Sequence, residues 1–439
     1  MRSTLLIAAL VAFLAVPASV LAQGIGDRIL RKAKQRVDQK IDRAIDKGLD
    51  EVKKGVEEGV KEDNEPASGG STNDSGTTTE NTGTSGTESA SSSGPVAPTF
   101  AAYSKFDFVP GDKILAVEDF SQDAIGDFPA KWNTNGGGEV VTIEGQPGHW
   151  LGFTTQGGLT PEFINALPEN FTLEFDLLCN PGYSFYDASF DISIAERDDP
   201  HNFTRFANAV KIQLHPKDAS SHPTGRAWYR VFQNSIEVMY NSREGLTCFT
   251  NSDRTHARVG IWRQNQRIRV YVNEMKVWDL PRAFVPDAKY NAIIFEKGTA
   301  SEGNNYYISN LRLAVGAPDT RNKLLTEGRF STTGIYFNTN SADIKPESFG
   351  ILKEIADVLS TNPDVKIAII GHTDSDGDEA HNLDLSKRRA AAVRQALIDN
   401  FGISGDRMET DGKGETQPAE SNDTPAGKAA NRRVEFVRK

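Results

Sequence analysis

Two side chains of opposite charge, Asp374 and Arg389, carry the clearest chemical signal in this sequence. Asp374 follows an apolar stretch typical of a strand, residues 365–370, and Arg389 lies near the start of a stretch typical of a helix, residues 385–401. Strand ends and helix starts are where open α/β sheets present groups to ligands. A carboxylate and a guanidinium that meet at such an edge can hold a zwitterion, because each binds one of its charges.

The helix pattern places Arg389 on an otherwise apolar face. Leu385, Val393 and Leu397 recur with it at intervals of four residues, which puts these side chains nearly in line. A guanidinium there needs a partner, because an unpaired buried charge is costly, and Asp374 is the expected one. From spacing alone two interpretations stay open. One is an ion pair that closes the intervening loop; the other is a pocket in which Arg389 binds a ligand carboxylate and Asp374 a ligand ammonium.

The region around this pair, residues 320–439, alternates strand and helix patterns. The order strand, helix, strand, helix, strand, strand predicts an α/β domain with a mixed sheet and helices on one face. The expected strands are residues 335–337, 365–370, 408–412 and 434–437, and the expected helices are residues 346–359 and 385–401.

Residues 100–316 predict an all-β domain, because short strand-like runs recur between turn signals without a helical period. Alternation of apolar and polar residues is clearest in residues 172–177 and 267–272. So many strands favour a two-sheet β-sandwich, jelly-roll-like in form. The stretch from 259 to 280, which ends in Lys-Val-Trp at 276–278, resembles the laminin-G/concanavalin-like superfamily.

A cluster of aromatic residues in this β region is a candidate sugar platform. Tyr183, Phe185 and Tyr186 follow a turn signal, but aromatic rings more often close a hydrophobic core, and we expect that role ahead of the sugar platform. The two cysteines, Cys179 and Cys248, can form one disulfide in an oxidising compartment or remain buried thiols. They lack metal-type spacing, so we expect neither a metal site nor a cofactor.

The N-terminal residues 1–22 predict a signal peptide. Arg2 precedes an apolar run at 5–16, and small residues at 20–22 precede Gln23, as in secretory signals. No cysteine that could carry a lipid follows it. Residues 24–61 predict an amphipathic α-helix with a basic first half, suited to an anionic outer-membrane surface, to an outer-membrane protein or to self-association. Residues 62–98 are a Ser/Thr/Gly-rich linker that we expect to be disordered.

The C-terminal motifs carry a family resemblance. Residues 333–437 resemble the OmpA C-terminal-like domain family, the peptidoglycan-binding module of cell envelopes. The matching residues are Gly-His-Thr-Asp at 371–374, Asn382, Leu385, Ser386, Arg389, Ala390, Gly412, Gly414, Gly427 and Asn-Arg-Arg-Val at 431–434. The sequence departs from the family pattern at Asn338, His381 and Lys428, and none of these changes removes the charged pair.

The resemblance implies that Asp374 receives the ammonium and Arg389 the carboxylate at the free end of diaminopimelate in a peptidoglycan stem peptide. Asn340 and Asn382 match positions that add polar contacts. The full expected ligand-binding set is Asp374, Arg389, Asn382, Asn340, Thr373 and Leu385. His372 has no nucleophile signature beside it, and the resemblance implies a structural role for this residue.

These observations predict a non-enzymatic periplasmic protein that binds peptidoglycan non-covalently and links the wall to the outer membrane or to a partner. The net charge of −11 argues against nucleic acid as a partner. The alternative is a secreted protein whose β-sandwich binds or cleaves a polysaccharide and whose C-terminal domain only anchors it to the wall. The sequence leaves the oligomeric state and any glycan or calcium bound by the sandwich open.

Overall fold

The computed structural model describes residues 106–218, 221–316 and 320–439. The expected signal peptide, amphipathic helix and linker lie outside this part of the chain. Within it, no helix combines the length and apolar character that crossing a bilayer requires.

Fifteen strands of the described residues build a region that we call the β-domain, residues 106–316. Their bounds are β1 Lys113–Glu118, β2 Trp132–Thr134, β3 Glu139–Ile143, β4 Gln146–Gly152, β5 Gly157–Pro161, β6 Asn170–Cys179, β7 Phe190–Glu196, β8 Asn208–His215, β9 Gly225–Gln233, β10 Ile236–Leu246, β11 His256–Gln264, β12 Arg267–Val272, β13 Met275–Leu280, β14 Ala292–Lys297 and β15 Tyr306–Val315. One sheet has the order β13-β12-β11-β6-β15-β4-β3, with β1 paired to β15, and the other has the order β10-β9-β8-β7-β14-β5-β2.

Both sheets contribute to one hydrophobic core. On β6, Phe171, Leu173 and Phe175 alternate into it, and Phe190 and Ile192 of β7 enter it from the other sheet. Of the two segments in which alternation is clearest, residues 172–177 lie within β6 and residues 267–272 coincide with β12. β4 and β5 contain glycine and proline residues, which interrupt such a pattern. Cys179 and Cys248 are buried free thiols, so no disulfide joins them.

The C-terminal domain, residues 320–439, is built on a four-stranded mixed sheet. Its elements are β16 Arg329–Thr332, α1 Phe349–Thr361, β17 Ile367–His372, α2 Glu379–Phe401, β18 Met408–Gly414, α3 Pro425–Asn431 and β19 Val434–Arg438, with short helical turns at Thr320–Asn322, Lys323–Glu327, Pro346–Ser348 and Gly405–Arg407. The strand order is β16-β19-β17-β18. β17 and β18 are parallel, and the other pairs are antiparallel, as a mixed sheet requires.

The strand expected at 335–337 is wrong: the first strand of this sheet is β16. The backbone around Tyr336 bonds elsewhere, because its N–H donates to Ser348 Oγ at 2.8 Å and its carbonyl accepts from the Lys345 N–H at 2.8 Å. Phe337 forms an isolated bridge with Ile344. The apolar alternation is real, since Ile335 is buried in the domain core. It reflects packing rather than a place in the sheet.

Helix α2 begins at Glu379, earlier than the apolar pattern predicted, and a short helix, α3, was not predicted at all. Asp378 caps α2 by accepting a hydrogen bond from the His381 N–H at 2.9 Å, a common way to satisfy a free N–H at a helix start. The polar first turns of α2 carry no apolar stripe, which is why periodicity did not reveal them. Arg389 therefore lies within α2 and not in its first turns.

The β-domain and the C-terminal domain are in direct contact. The carbonyl of Phe108 lies so close to Gly350 of α1 that an added Cβ would be 1.9 Å from it. Val109 enters the hydrophobic core of the C-terminal domain, and Trp262 of β11 packs against the same core. At another place along the contact, α3 lies against β1. The described residues thus belong to one compact unit.

A buried charge network also joins the two domains. Glu174 of β6, 1% exposed, accepts hydrogen bonds from Arg312 at 2.9 Å and from the Tyr336 hydroxyl at 2.9 Å and 3.0 Å. Arg312 also donates to Thr333 at 2.8 Å. A buried carboxylate with several donors is stable only while all of them stay in place, so this network holds the two domains in one relative orientation.

Candidate functional site

A cleft of about 830 Å³ lies between the two domains. Asp374 and Arg389 both line it, so the strand end and the helix that the sequence pointed to do present their charges to one space. The other four residues of the expected set, Thr373, Asn382, Leu385 and Asn340, line the same cleft. Their roles as ligand contacts stay a prediction.

Asp374 lies just beyond the end of β17 and is 7% exposed. One carboxylate oxygen accepts the N–H of Asp376 at 3.2 Å, and the other accepts a short hydrogen bond from the Arg432 guanidinium. The partner of Asp374 in the structure is therefore Arg432. Of the two interpretations that spacing left open, the ion pair between Arg389 and Asp374 is wrong.

Arg389 is held by uncharged groups. Its Nε donates to the Ser341 carbonyl at 3.0 Å, and its guanidinium lies 4.8 Å from the centre of the Phe337 ring. Within the described part of the chain its two terminal nitrogens make no hydrogen bond. Burial, together with the nearby charge of Arg432, lowers the pKa of Arg389 to about 10. The group is still a cation at neutral pH, and it lines the cleft with donors left unused by the described residues.

Asn382 organises the loop that carries Asp374. Its side-chain amide is almost fully buried and donates to the carbonyls of Asp374 and Asp376 at 3.3 Å and 3.0 Å and to Glu415 Oε2 at 2.6 Å. Three hydrogen bonds from one amide fix the loop against α2. In this structure Asn382 thus positions the carboxylate.

The remaining expected residues differ in accessibility. The Thr373 N–H donates to the Gly414 carbonyl at 2.9 Å, and its buried hydroxyl finds no partner among the described residues. Leu385 is 4% exposed and forms part of the apolar side of the cleft. Asn340 is exposed in a turn with a positive φ of 53°, a conformation that Asn tolerates better than most residues.

The glycines of the motif let α2 approach the sheet. A Cβ on Gly371 would lie 2.2 Å from the Ser386 carbonyl oxygen, and one on Gly412 would lie 2.4 Å from Ser386 Oγ. The same Ser386 hydroxyl accepts the Gly414 N–H at 2.9 Å. Only residues without a Cβ fit at such distances. The close approach brings α2, which carries Arg389, against the strand end that leads to Asp374.

His372 is buried at the end of β17, two residues before Asp374. Its side chain has no exposed surface, and Nε2 lies 3.5 Å from Glu435 Oε1. Burial and the nearby Arg433 guanidinium lower the pKa of His372 to about 4. The imidazole is neutral at physiological pH, which suits a structural role.

Sequence reasoning missed the part that α3 plays. The side chain of Thr424 caps this helix by accepting the Gly427 N–H at 3.0 Å. Lys428, one of the departures from the family pattern, pairs with Asp376 at 2.7 Å. The Asn-Arg-Arg-Val motif contained the signal for Arg432, but a motif does not say which carboxylate an arginine will meet.

The site combines two guanidinium groups with one carboxylate. Arg432 is half-exposed and shares Asp374, whereas Arg389 keeps unused donors. Such an arrangement suits a ligand carboxylate at Arg389 and a ligand cation that takes the place of Arg432 at Asp374. Among the described residues no group of three or more His, Cys, Asp or Glu side chains is placed to hold a metal ion.

Comparison with known proteins identifies the class of this domain. Residues 336–432 match the model of the OmpA family, so this part of the chain is an OmpA-like domain. It is 40% identical over 101 residues to outer membrane porin F of Pseudomonas aeruginosa, covering 23% of this chain and 29% of that protein. It is 42% identical over 103 residues to the peptidoglycan-binding protein ArfA of Mycobacterium bovis, covering 24% of this chain and 31% of that protein.

Among solved structures, the peptidoglycan-associated lipoprotein from Burkholderia pseudomallei matches at 32% identity, with a TM-score of 0.23. The match covers 25% of this chain and 89% of that one. Both curated relatives are matched over less than a third of their own length.

Proposed function

We propose that this chain is a non-enzymatic cell-envelope protein that binds peptidoglycan non-covalently through its C-terminal domain. The observation that carries the proposal is the convergence of Asp374 and Arg389 on one cleft. The ligand is the free end of diaminopimelate in a stem peptide, where one carbon bears both an ammonium and a carboxylate. The printed name of the Mycobacterium bovis relative supports the same class of ligand.

Arg389 binds the carboxylate through its two terminal nitrogens. The hydrogen bond to the Ser341 carbonyl and the Phe337 ring hold the guanidinium in place before the ligand arrives. Pre-orientation lowers the entropy that binding must spend on side-chain ordering. The planar fork matches a carboxylate in two parallel hydrogen bonds.

Asp374 binds the ammonium in exchange for Arg432. In the free protein the carboxylate is paired with Arg432. Since one salt bridge replaces another, the net gain at Asp374 is modest, and binding is reversible. A wall contact that forms and breaks in this way suits a protein that spans two layers of the envelope.

Retention on purified sacculi tests the proposal with full-length protein. We expect Asp374→Ala and Arg389→Ala each to reduce retention strongly and the double variant to abolish it. Asp384→Ala and Arg388→Ala are matched controls, because these residues form an exposed ion pair on the same helix at 2.7 Å. Retention of the double variant at the level of the wild type would exclude this site.

The N-terminal residues 1–98 provide the other end of the proposed link between peptidoglycan and the outer membrane. In our proposal residues 1–22 direct export to the periplasm, residues 24–61 contact the outer-membrane surface or a protein in it, and residues 62–98 form the tether. Flotation of the chain with and without residues 24–61 on anionic vesicles distinguishes lipid from protein as the partner of that segment. Cofloatation that does not change when these residues are deleted would exclude lipid binding by them.

The alternative, a polysaccharide-directed β-domain, has one exposed feature in its favour. Tyr183 is fully buried in the core, so the three-residue platform expected from the sequence is wrong. Tyr186 is 86% exposed beside Phe185, and the Arg226 guanidinium lies 5.1 Å from the Phe185 ring. A glycan array with the Asp374→Ala, Arg389→Ala chain isolates this surface. Selective binding lost in a Tyr186→Ala derivative would favour the alternative.

A further inference from the structure

The interdomain cleft is larger than the end of one amino acid requires. Its volume of about 830 Å³ falls in the upper part of the range of roughly 300–1,000 Å³ for pockets that bury a whole drug-sized ligand. Asp374 and Arg389 lie on the side formed by the C-terminal domain. The β-domain supplies lining residues of its own, among them Gln146, Trp150, Asp176, His256 and Asn310.

Buried polar atoms without partners are concentrated in this cleft. Glu347 Oε2, Thr373 Oγ1 and Arg433 Nη1 are buried, find no hydrogen-bond partner among the described residues, and belong to side chains that line it. Buried polar atoms are normally paired, so a cluster of unpaired ones asks for a functional explanation. A ligand that enters the cleft with its own donors and acceptors supplies one.

Glu347 lies on the helical turn Pro346–Ser348 and is the most informative of the three. Burial raises the pKa of its carboxyl group, although the nearby Arg258 charge acts in the opposite direction. An acceptor oxygen enclosed in this way gains most from a donor that arrives with the ligand. Peptide N–H and sugar O–H groups are both donors of that kind.

His256, at the start of β11, presents a ring to the same cleft from the β-domain. Its side chain is 42% exposed, its Nε2 lies 3.7 Å from Asp176 Oδ1, and its ring meets Trp150 edge-on at 5.8 Å. Asp176 is fixed by Arg258 at 3.3 Å and by Asn310 at 2.6 Å. Since Nδ1 of His256 makes no hydrogen bond to a described residue, an oriented polar atom remains for a ligand.

The buried network of Glu174, Arg312 and Tyr336 joins the β-domain side of the cleft to the side formed by the C-terminal domain. A side of the cleft that is fixed before binding adds contacts without the entropy cost of domain closure. The β-domain is therefore placed to act as part of the site and not only as a neighbour.

We propose that the β-domain completes the peptidoglycan site through His256. His256, together with Glu347 of the C-terminal domain, contacts the part of a sugar–peptide fragment beyond the amino-acid end held by Asp374 and Arg389. This inference rests on the proposed function. It adds that the ligand is a muropeptide recognised as a whole, with affinity above that for its diaminopimelate end. A single donor or acceptor contact contributes about 0.5–1.5 kcal/mol, which corresponds to roughly two- to tenfold in affinity.

Calorimetric titration of the full chain tests it with three probes: free diaminopimelate, a stem tripeptide that ends in diaminopimelate, and the disaccharide tripeptide. We expect His256→Ala and Glu347→Gln each to lower the affinity for one or both fragments by roughly two- to tenfold. The affinity for free diaminopimelate should stay unchanged. The probe that first shows the loss tells whether peptide or sugar makes the contact. His201→Ala and Glu302→Gln, at exposed positions outside the cleft lining, are the matched controls.

The outcomes separate this inference from the function on which it rests. Two results would overturn the contribution of the β-domain while leaving the proposed peptidoglycan site in place. One is that the fragments bind no tighter than free diaminopimelate; the other is that the variants leave the affinities of all three probes unchanged. Absence of binding of every probe to the wild type overturns both. Thermal unfolding of each variant at the wild-type temperature shows that a loss of affinity comes from the contact and not from misfolding.

Discussion

At the scale of single residues, the two charged side chains of this site differ in how they are held. Asp374 is neutralised by Arg432, whereas Arg389 is oriented by a carbonyl and a ring that leave its charge unpaired. In the proposed site, a free cation beside a paired anion makes the ligand carboxylate the stronger determinant of binding. The fork of Arg389, and not only its charge, should therefore matter.

Replacing Arg389 by lysine tests that point. Arg389→Lys keeps a cation but loses the second donor and the Nε contact to Ser341. We expect affinity for free diaminopimelate to fall by about 1.5–3 kcal/mol, the usual contribution of a hydrogen bond to a charged group. Titration calorimetry gives the value, with Arg388→Lys on the same helix as control. An unchanged affinity would mean that the charge alone binds the carboxylate.

His372 gives a prediction about pH. Its pKa is about 4 in the folded chain and near 6.5 in an unfolded one, so the unfolded state binds more protons between these values. Stability is therefore complete above about pH 6.5 and decreases as pH falls towards 4. At about 1.4 kcal/mol per pKa unit, the loss amounts to up to ~3 kcal/mol.

We expect His372→Gln to flatten that decrease. Urea unfolding at several pH values between 7 and 4 measures it, and His381→Gln, an exposed position on α2, is the control. Parallel stability curves for the wild type and His372→Gln would show that another group causes the pH dependence.

At the scale of elements, close backbone approaches decide where helices lie. Gly371 and Gly412 allow α2 to lie against β17 and β18, and Gly350 allows α1 to lie against the segment around Phe108. The sequence marks these glycines but does not say what comes close to them. The contact of Gly350 belongs to the boundary between the domains, where no family motif was available.

Gly350→Ala probes that contact. The added methyl group would meet the Phe108 carbonyl oxygen at 1.9 Å, and backbone cannot move aside as a flexible side chain does. We expect a loss of about 1–3 kcal/mol in the free energy of unfolding, as for other overpacked sites, measured by urea unfolding. Ser360→Ala, at an exposed site on the same helix, should be nearly neutral. A stable Gly350→Ala protein would show that the segment is free to shift.

At the scale of the whole molecule, the two domains act as one body around a shared cleft. Apolar contacts of Val109 and Trp262 and the charge network of Glu174 join them. Residues of both domains line this cleft. The orientation of the C-terminal domain relative to the β-domain depends on hydrogen bonds that must all be made.

Tyr336→Phe removes one donor from Glu174 and little else. We expect it to cost about 1.5–3 kcal/mol, because the lost bond goes to a charged group, and to weaken muropeptide binding more than binding of free diaminopimelate. Denaturant unfolding and calorimetry give the two values, and Tyr307→Phe is a control from β15 whose hydroxyl makes no bond to a described residue. Equal losses of affinity for the muropeptide and for free diaminopimelate would argue against a fixed contribution of the β-domain to the cleft.

Local patterns in the sequence were enough to single out Asp374 and Arg389, the β-rich character of the β-domain and the α/β character of the C-terminal part, because alternation and motif spacing act over a few residues. They misplaced the first strand of the C-terminal sheet and the start of α2, where side-chain bonds from Ser348 and Asp378 set the backbone. The partner of Asp374 and the β-domain side of the cleft were revealed only by the tertiary structure. Arg432 is 58 positions from Asp374, and Glu174 is 162 from Tyr336. Contacts at such separations depend on strand order and domain packing, which no local pattern encodes.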